Sequence, residues 1–140
     1  DCAPAVDQPG TWASLLVSDL ALIPTKLSPA DTDALPAALG LAKKAKQTSG
    51  LDYPVRTVAT AFRRNRADEK AAFEAIANDK NFPDYPPLKQ VLSDRVAFTR
   101  SMLYGATVHS MPNAKDAIAE IDALADAVAK LLKIPAEKKV

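Results

Sequence analysis

The sequence has very few of the residues that build disulfides, metal sites and catalytic centres. Its 140 residues include one cysteine and one histidine. A single cysteine, Cys2, excludes an intramolecular disulfide and a metal site made of cysteines alone. One histidine, His109, rarely holds a metal without further ligands, and a nucleophile–base pair would also have to use it. We therefore expect no catalytic activity, no metal site and no cofactor.

Ligand-binding motifs and membrane-spanning runs are missing as well. The chain has no EF-hand loop, P-loop, G-x-S-x-G or H-E-x-x-H motif, and no C-x-x-C-H for covalent haem attachment. No window of about 18 residues is continuously apolar, so we expect no transmembrane segment. The function must therefore be sought in the fold and in the surface charge.

The overall composition is that of a globular, helical protein. Hydrophobic residues make up 48% of the chain and charged residues 25%, which is typical of a folded domain. Alanine is abundant and β-branched runs are short, and both features favour helix. We expect one domain over residues 1–140, with an extended leader at 1–10 and a tail at 134–140.

The clearest predicted element is a helix from Asn113 to Lys133. Its apolar residues are three or four positions apart, which is the spacing of one helix face. They are Ile118, Ile121, Ala125, Val128 and Leu132. Pro135 would end the helix. A helix with one apolar face cannot bury that face alone, so this pattern predicts partner helices.

Four earlier stretches are also predicted to contain helices. They cover residues 12–23, 31–49, 55–76 and 87–103, and a proline-rich loop covers 78–87. The third helix is either continuous or broken near Asn65. Gly40 either weakens the second helix by roughly 1 kcal/mol or marks a close helix crossing. Short connections favour antiparallel neighbours, so the predicted fold is all-α. It is an up-and-down four-helix bundle with an extended N-terminal leader, and the count rises to five if the short first helix is separate.

The charge is unevenly distributed along the chain. Residues 1–42 carry a net charge of −4, so the remainder carries +5. Basic residues are concentrated at 43–66, where they outnumber the single acid Asp52. They are Lys43, Lys44, Lys46, Arg56, Arg63, Arg64 and Arg66. This segment is either a solvated cationic face or a docking surface for an acidic partner. No recognisable nucleic-acid motif accompanies it, so we do not expect nucleic-acid binding.

A second set of candidates lies near the last helix. His109 and Met111 have side chains that can hold haem iron or a metal, and the alternative is an ordinary solvated histidine. Asp116 with Glu120, and Asp122 with Asp126, are four residues apart and are expected on a solvated helix face. If His109 and Met111 hold a ligand, the protein is predicted to be a secreted or periplasmic bundle that binds haem, a metal or an apolar ligand near His109.

The chain resembles the Q-type extrinsic subunits of photosystem II. The resemblance lies in the proline-containing leader from Ala3-Pro4 to Pro9-Gly10, in a helical bundle with a basic surface, and in the closing segment from Asn113 to Pro135. It implies a non-catalytic protein of the thylakoid lumen. Such a subunit docks peripherally on lumenal loops of the membrane complex, supports oxygen evolution and helps to retain calcium and chloride. Under the resemblance, the seven basic residues of 43–66 are the docking cations.

The start of the chain leads to an expectation about its compartment. It begins at Asp1 without an initiator methionine, as a processed protein does after a targeting peptide is removed. We therefore expect an exported protein, with the thylakoid lumen favoured and the periplasm or a secreted location as alternatives. An interaction or inhibitor protein of a bacterial envelope would share these features.

Overall fold

The computed structural model describes residues 8–135 and shows a mixed α/β fold. The helices are α1 (Pro9–Leu15), α2 (Pro29–Ser49), α3 (Ala67–Ala77), α4 (Val96–Leu103) and α5 (Lys115–Leu131). The strands are β1 (Ala21–Thr25) and β2 (Val55–Ala59), and one 3₁₀ turn covers Val108–Ser110. The predicted all-α four-helix bundle is therefore wrong.

The two strands are parallel, with Ala21 opposite Val55 and Thr25 opposite Ala59. Parallel neighbours need a long crossover, because the chain must return to the same end of the sheet before it pairs again. Helix α2 provides that crossover. Ser28 caps its first turn by accepting a hydrogen bond from the Asp31 N–H, and Gly50 ends it with a φ of +70°.

A third extended stretch runs along the other side of β2. The Leu88 N–H donates to the Thr57 carbonyl at 2.8 Å and the Leu92 N–H donates to the Ala59 carbonyl at 2.9 Å. Phe62 and Ser93 form an isolated parallel bridge. Residues 88–94, which we call the flanking segment, therefore act as an irregular third strand, and β2 lies in the centre of the sheet.

Helices α2 and α3 cover one face of this sheet. Leu35 and Leu39 of α2 pack with Val55 in one apolar cluster. A second cluster joins Phe62 to Phe73 of α3, with ring centroids 6.4 Å apart. Side chains alternate between the two faces of a strand, so the odd-numbered residues of β1 and β2 face these helices.

Two of the predicted helices are partly strand for a recognisable reason. The third, 55–76, is broken near Asn65 rather than continuous, with β2 before the break and α3 after it. The spacing of Val55, Val58 and Phe62 fits a helix face, but a short apolar run does not separate a helix from a buried strand by spacing alone. Val55, Thr57 and Val58 are β-branched, which favours strand. The first predicted helix, 12–23, is too long. Helix α1 ends at Leu15, and residues 21–23 belong to strand β1, which continues through Pro24.

Helix α5 is the predicted closing helix, but its apolar face is only partly buried. Ala117 is its only buried residue, and the predicted stripe is half-buried apart from Ala125, which is exposed. Glu120 bonds to Ser93 at the end of the flanking segment, whereas Leu131 lines a cavity with Arg56 near the start of β2. Helix α5 therefore runs opposite to the strands.

The remaining boundaries also differ from the prediction. Pro9 and Gly10 belong to helix α1 rather than to an extended leader, while Cys2 and residues 136–140 lie outside the described residues. The predicted fourth helix starts at Val96 and not at Pro87. The proline-rich loop at 78–87 is confirmed as irregular. Within 8–135, no helix is long and apolar enough to cross a membrane.

Candidate docking surface at the carboxyl edge of the sheet

The fold separates the seven predicted docking cations into two groups. Lys43, Lys44 and Lys46 lie in the last turns of α2, and Arg56 follows the first residue of β2. These four are near the end of the sheet where the strands begin. Arg63, Arg64 and Arg66 lie between β2 and α3, where the strands finish. The predicted cations therefore do not form one surface.

Most of the first group is held by contacts within the protein. Lys46 forms an ion pair with Asp52 at 2.9 Å, and the same ammonium lies 5.5 Å from the Tyr53 ring centroid. The hydrogen bond from Lys46 lowers the pKa of Asp52. Lys44 lies 5.9 Å from the Trp12 ring centroid. The Arg56 guanidinium donates to the carbonyl of Val55 at 2.8 Å. These contacts give the cations a structural role.

A polar cavity of about 500 Å³ lies beside these residues. It is lined by Lys46, Tyr53, Arg56, Asp84 and Tyr85, among others. Its lining includes two cations and the two acids Asp52 and Asp84, so it has no clear excess of one charge. An apolar cavity of about 220 Å³ lies between α2 and α3. Arg63, Arg64 and Arg66 do not line either of these two cavities.

We call residues Arg63–Arg66 the arginine loop. Its backbone is held in place at both ends. Ala61, two residues before the loop, has a φ of +50°. The Asp94 N–H donates to the carbonyl of Phe62, directly before the loop, at 3.0 Å. The Arg63 N–H donates to a carboxylate oxygen of Glu69 at 2.7 Å, and the Arg63 Nε donates to the other oxygen at 2.6 Å. Glu69 is only 4% exposed.

The pKa values of the two carboxylates that follow the arginine loop, in the first turn of α3, are lowered. The hydrogen bond from the Arg63 N–H is the main reason that the pKa of Glu69 is lowered. Arg66 donates two hydrogen bonds to the carboxylate of Asp68, from Nε at 3.0 Å and from Nη2 at 2.8 Å. The bonds from Arg66 lower the pKa of Asp68 to about 2. Both acids therefore stay ionised at neutral pH and offset two of the three arginines.

Arg64 differs from its two neighbours. Its side chain is exposed, and within the described residues it has neither an ion pair nor a hydrogen bond to another side chain. It lies on a turn whose neighbours are held by Glu69 and Asp68. A fixed backbone with a free guanidinium suits the binding of an external carboxylate, because arginine can donate two parallel bonds to one.

Helix α4 adds an apolar part to the same edge. It starts directly after the flanking segment, whose Ser93 is bridged to Phe62 beside the arginine loop. Val96, Met102 and Leu103 of α4 are highly exposed, and so is Tyr104, the residue after the helix. The exposed fractions are 65% for Val96, 83% for Met102, 77% for Leu103 and 74% for Tyr104. We call the arginine loop together with α4 and Tyr104 the carboxyl-edge surface.

A network of ion pairs fixes this surface to helix α5. Glu120 accepts hydrogen bonds from the Ser93 N–H at 2.8 Å and from the Ser93 hydroxyl at 2.7 Å. Arg95 donates to Glu120 at 2.9 Å and to Asp116 at 3.1 Å. The expectation that Glu120 lies on a solvated face is therefore wrong, since its side chain is only 11% exposed. The spacing of residues along α5 could not indicate the burial of Glu120, because Ser93 and Arg95 lie more than 20 residues away in the sequence.

The histidine candidate is engaged by a carboxylate. The Nε2 of His109 lies 2.9 Å from Asp122, and Met111 is half-buried nearby in the chain. No group of three or more histidine, cysteine or acidic side chains that could hold a metal occurs within residues 8–135. The haem, metal or apolar ligand near His109 stays a prediction. A shift of the haem absorbance band that is lost on His109→Ala would support it.

Comparison with known proteins supplies no family for this chain. A scan against protein-family models finds no match, and a search of curated proteins finds no similar sequence.

Proposed function

We propose that this protein is a non-catalytic docking protein that binds an acidic surface of a partner protein through its carboxyl-edge surface. The observation that carries the proposal is that three highly exposed apolar residues of α4, and Tyr104 directly after it, follow the flanking segment that is bridged to Phe62 beside the arginine loop. Arginine, methionine and tyrosine are enriched at protein interfaces, where they supply contact area together with directional hydrogen bonds.

Charge at the arginine loop favours an acidic protein over a nucleic acid. Residues 63–69 contain three arginines and the two acids Asp68 and Glu69, so their net charge is +1. Nucleic-acid binding depends on a strongly cationic surface that releases several counterions. Arg64 and the exposed Arg100 of α4, which likewise has no ion pair among the described residues, are better matched to carboxylates within a protein interface.

Under this proposal the two parts of the surface would contribute to binding in different ways. Arg64 would orient the partner by donating to a carboxylate, and such a contact mainly affects association rate and specificity. Met102, Leu103 and Tyr104 would supply most of the buried area. Their burial would contribute on the order of 1 kcal/mol or more per side chain, because apolar area leaves water.

A thylakoid-lumen subunit of photosystem II is one specific form of this proposal. Its support is the closing segment from Asn113 to Pro135, which resembles that of the Q-type subunits, together with basic surface residues. The bundle that formed another part of the resemblance is replaced by the α/β fold. An exported interaction or inhibitor protein of a bacterial envelope would use the same carboxyl-edge surface.

The experiment measures binding to two acidic probes. Poly-L-glutamate tests the carboxylate chemistry, and photosystem II membranes depleted of extrinsic subunits test the specific form. We expect Arg64→Glu to weaken binding to either probe by about tenfold, because it replaces attraction with repulsion. Lys43→Glu is the matched control, since it makes the same charge change at an exposed site near the opposite end of the sheet.

A further variant tests the apolar part. Met102→Ser should weaken binding to the membranes and leave poly-L-glutamate binding unchanged. Binding that ignores salt between about 0.05 and 0.5 M would contradict electrostatic docking. Equal effects of Arg64→Glu and Lys43→Glu would remove the arginine loop from the proposal. Binding to poly-L-glutamate without binding to the membranes would reject only the photosystem form.

A further inference from the structure

The apolar cavity between α2 and α3 has one buried wall and one partly exposed wall. Leu35 and Leu39 of α2 form the buried wall. Ile76 of α3, with Phe82 and Tyr85 of the proline-rich loop, forms the other wall, and these three residues are half-buried. The volume of about 220 Å³ exceeds that of an engineered apolar cavity of roughly 150 Å³ that takes up benzene. The cavity therefore has room for one aromatic ring with a short chain.

The loop side of the cavity presents two aromatic rings. The ring centroids of Phe82 and Tyr85 lie 6.3 Å apart, and the ring planes differ by 20°. Aromatic rings attract another ring in offset or edge-to-face contacts, and the face of a ring attracts a cation. This wall is therefore suited to a flat apolar ligand that carries a positive charge.

One carboxylate supplies the charge of the cavity. Asp79 is the only charged residue among the described residues that line it. Its Oδ1 accepts two bonds from Asn81, from the backbone N–H at 2.8 Å and from Nδ2 at 2.9 Å. Its Oδ2 has no hydrogen bond or ion pair within the part of the chain that the structure describes. Lys46 lies 5.6 Å from the Tyr85 ring centroid, but it is paired with Asp52. The cavity therefore carries an unbalanced negative charge.

Two features of the helices add to this preference for a cation. Helix α3 ends at Ala77, two residues before Asp79, and the carboxyl end of a helix carries partial negative charge. Pro36 lies inside α2 and lines the cavity together with Thr32. Because Pro36 has no N–H, the carbonyl of Thr32 lacks its usual helical donor. The Asp79 carboxylate and the Thr32 carbonyl accept hydrogen bonds and cannot donate them, which matches a ligand that only donates.

We propose that this cavity binds a small aromatic amine, whose ring packs on Phe82 and Tyr85 and whose ammonium donates to Asp79. The apolar walls remove the ring from water, and the charged hydrogen bond fixes its orientation. A carboxylic acid of the same size would be repelled by Asp79. The arginine loop and α4 do not line the cavity, so this proposal is independent of docking at the carboxyl-edge surface.

The test titrates the full chain with phenethylamine and with phenethyl alcohol, which has nearly the same shape without the charge. Binding is followed by NMR from the methyl signals of Ile76, and nuclear Overhauser effects from the ring protons of the ligand to Leu35 locate it. We expect phenethylamine to bind about tenfold more tightly than the alcohol, because a hydrogen bond to a charged group contributes at least that factor. Phenylacetate should bind more weakly than either.

A first pair of variants tests the charge. Asp79→Asn keeps an oxygen that can accept from Asn81 and removes the negative charge. It should weaken the binding of phenethylamine by about tenfold and leave that of phenethyl alcohol unchanged. Glu74→Gln is the matched control, since it removes the same charge at an exposed position of α3 that does not line the cavity.

A second pair of variants tests the location. Ala75 of α3 is exposed and lines the cavity, so the indole of Ala75→Trp should block the entrance and abolish the binding of both compounds. Ala77→Trp adds the same side chain at an exposed position of α3 that does not line the cavity. It should leave binding unchanged.

Four results would overturn the proposal. The first is equal affinity for phenethylamine and phenethyl alcohol. The second is an equal effect of Asp79→Asn and Glu74→Gln on the amine, and the third is an equal effect of Ala75→Trp and Ala77→Trp. The fourth is a nuclear Overhauser effect between Phe82 and residues outside 8–135 in the free protein, since the chain itself would then fill the cavity. Absence of binding at millimolar phenethylamine would also reject the site.

Discussion

Replacement of Glu120 by alanine should destabilise the protein, because it removes the contact between α5 and the flanking segment. Glu120 receives three hydrogen bonds, two from Ser93 and one from Arg95. Ser93 is only 8% exposed, so its N–H would be left without a partner. An unsatisfied buried donor costs roughly 1–3 kcal/mol, and a bond to a charged group contributes about 1.5–3 kcal/mol.

These contributions overlap, so we expect a loss of about 3 kcal/mol in the free energy of unfolding. For a domain of this size the loss corresponds to a fall in melting temperature of roughly 10 °C. Urea denaturation followed by circular dichroism measures it directly. Glu120→Gln keeps the shape and part of the bonding, and should cost about half as much.

The pH dependence supplies a second check on the same residue. Burial raises the pKa of Glu120, but the hydrogen bonds from Arg95 and Ser93 outweigh it, so that the pKa of Glu120 in the folded protein lies below its ordinary value of 4.5. Its stabilising contribution is therefore complete above pH 4.5 and is lost as the pH falls through the folded pKa. Glu120→Gln should flatten this part of the stability profile.

Glu74→Gln and Glu74→Ala provide the matched controls. Glu74 is an exposed glutamate on α3, and its carboxylate makes no ion pair among the described residues. Its replacement should change the free energy of unfolding by no more than about 0.5 kcal/mol. If Glu120→Ala and Glu74→Ala have equal effects, the network around Ser93 does not hold α5 to the sheet.

Three further predictions concern Asp68, Gly50 and Gly40. Asp68 should titrate with a pKa of about 2 by NMR, and Arg66→Ala should return it toward 3.8, whereas an unchanged value would show that Arg66 is not the cause. Gly50→Ala should destabilise the protein by about 1 kcal/mol, because the φ of +70° at Gly50 disfavours a side chain. Gly40→Ala should instead stabilise the protein by about 0.5–1 kcal/mol, since nothing lies within 4 Å of the added carbon. Thermal melts of the two variants measure both effects, and shifts of the same sign would contradict this prediction.

The sequence was sufficient to predict those elements that depend on residues close together in the chain. The closing helix was predicted at 113–133 and lies at Lys115–Leu131, because its periodic pattern extends over several turns. The second helix was predicted to end before Gly50, and Gly50 does adopt the left-handed conformation there. The proline-rich loop at 78–87 was likewise evident, since proline excludes regular structure.

The strands could not be recognised in the same way. Val55–Ala59 has only five residues, and its apolar spacing fits a helix as well as a strand. Its strand conformation depends on neighbours on both sides, which are β1 about 34 positions earlier and the flanking segment about 30 positions later. Pairing between distant segments leaves no periodic signature in either one.

The sequence by itself determined the amphipathic helices, the absence of a long apolar run and the concentration of basic residues at 43–66. Only the tertiary structure decided which of these basic residues are free. It paired Lys46 with Asp52 and Arg63 with Glu69, left Arg64 exposed, and placed the two groups at opposite ends of β2. The physical reason is that helix formation depends on neighbours three and four residues apart, whereas ion pairing and burial depend on which distant segments the sheet brings together.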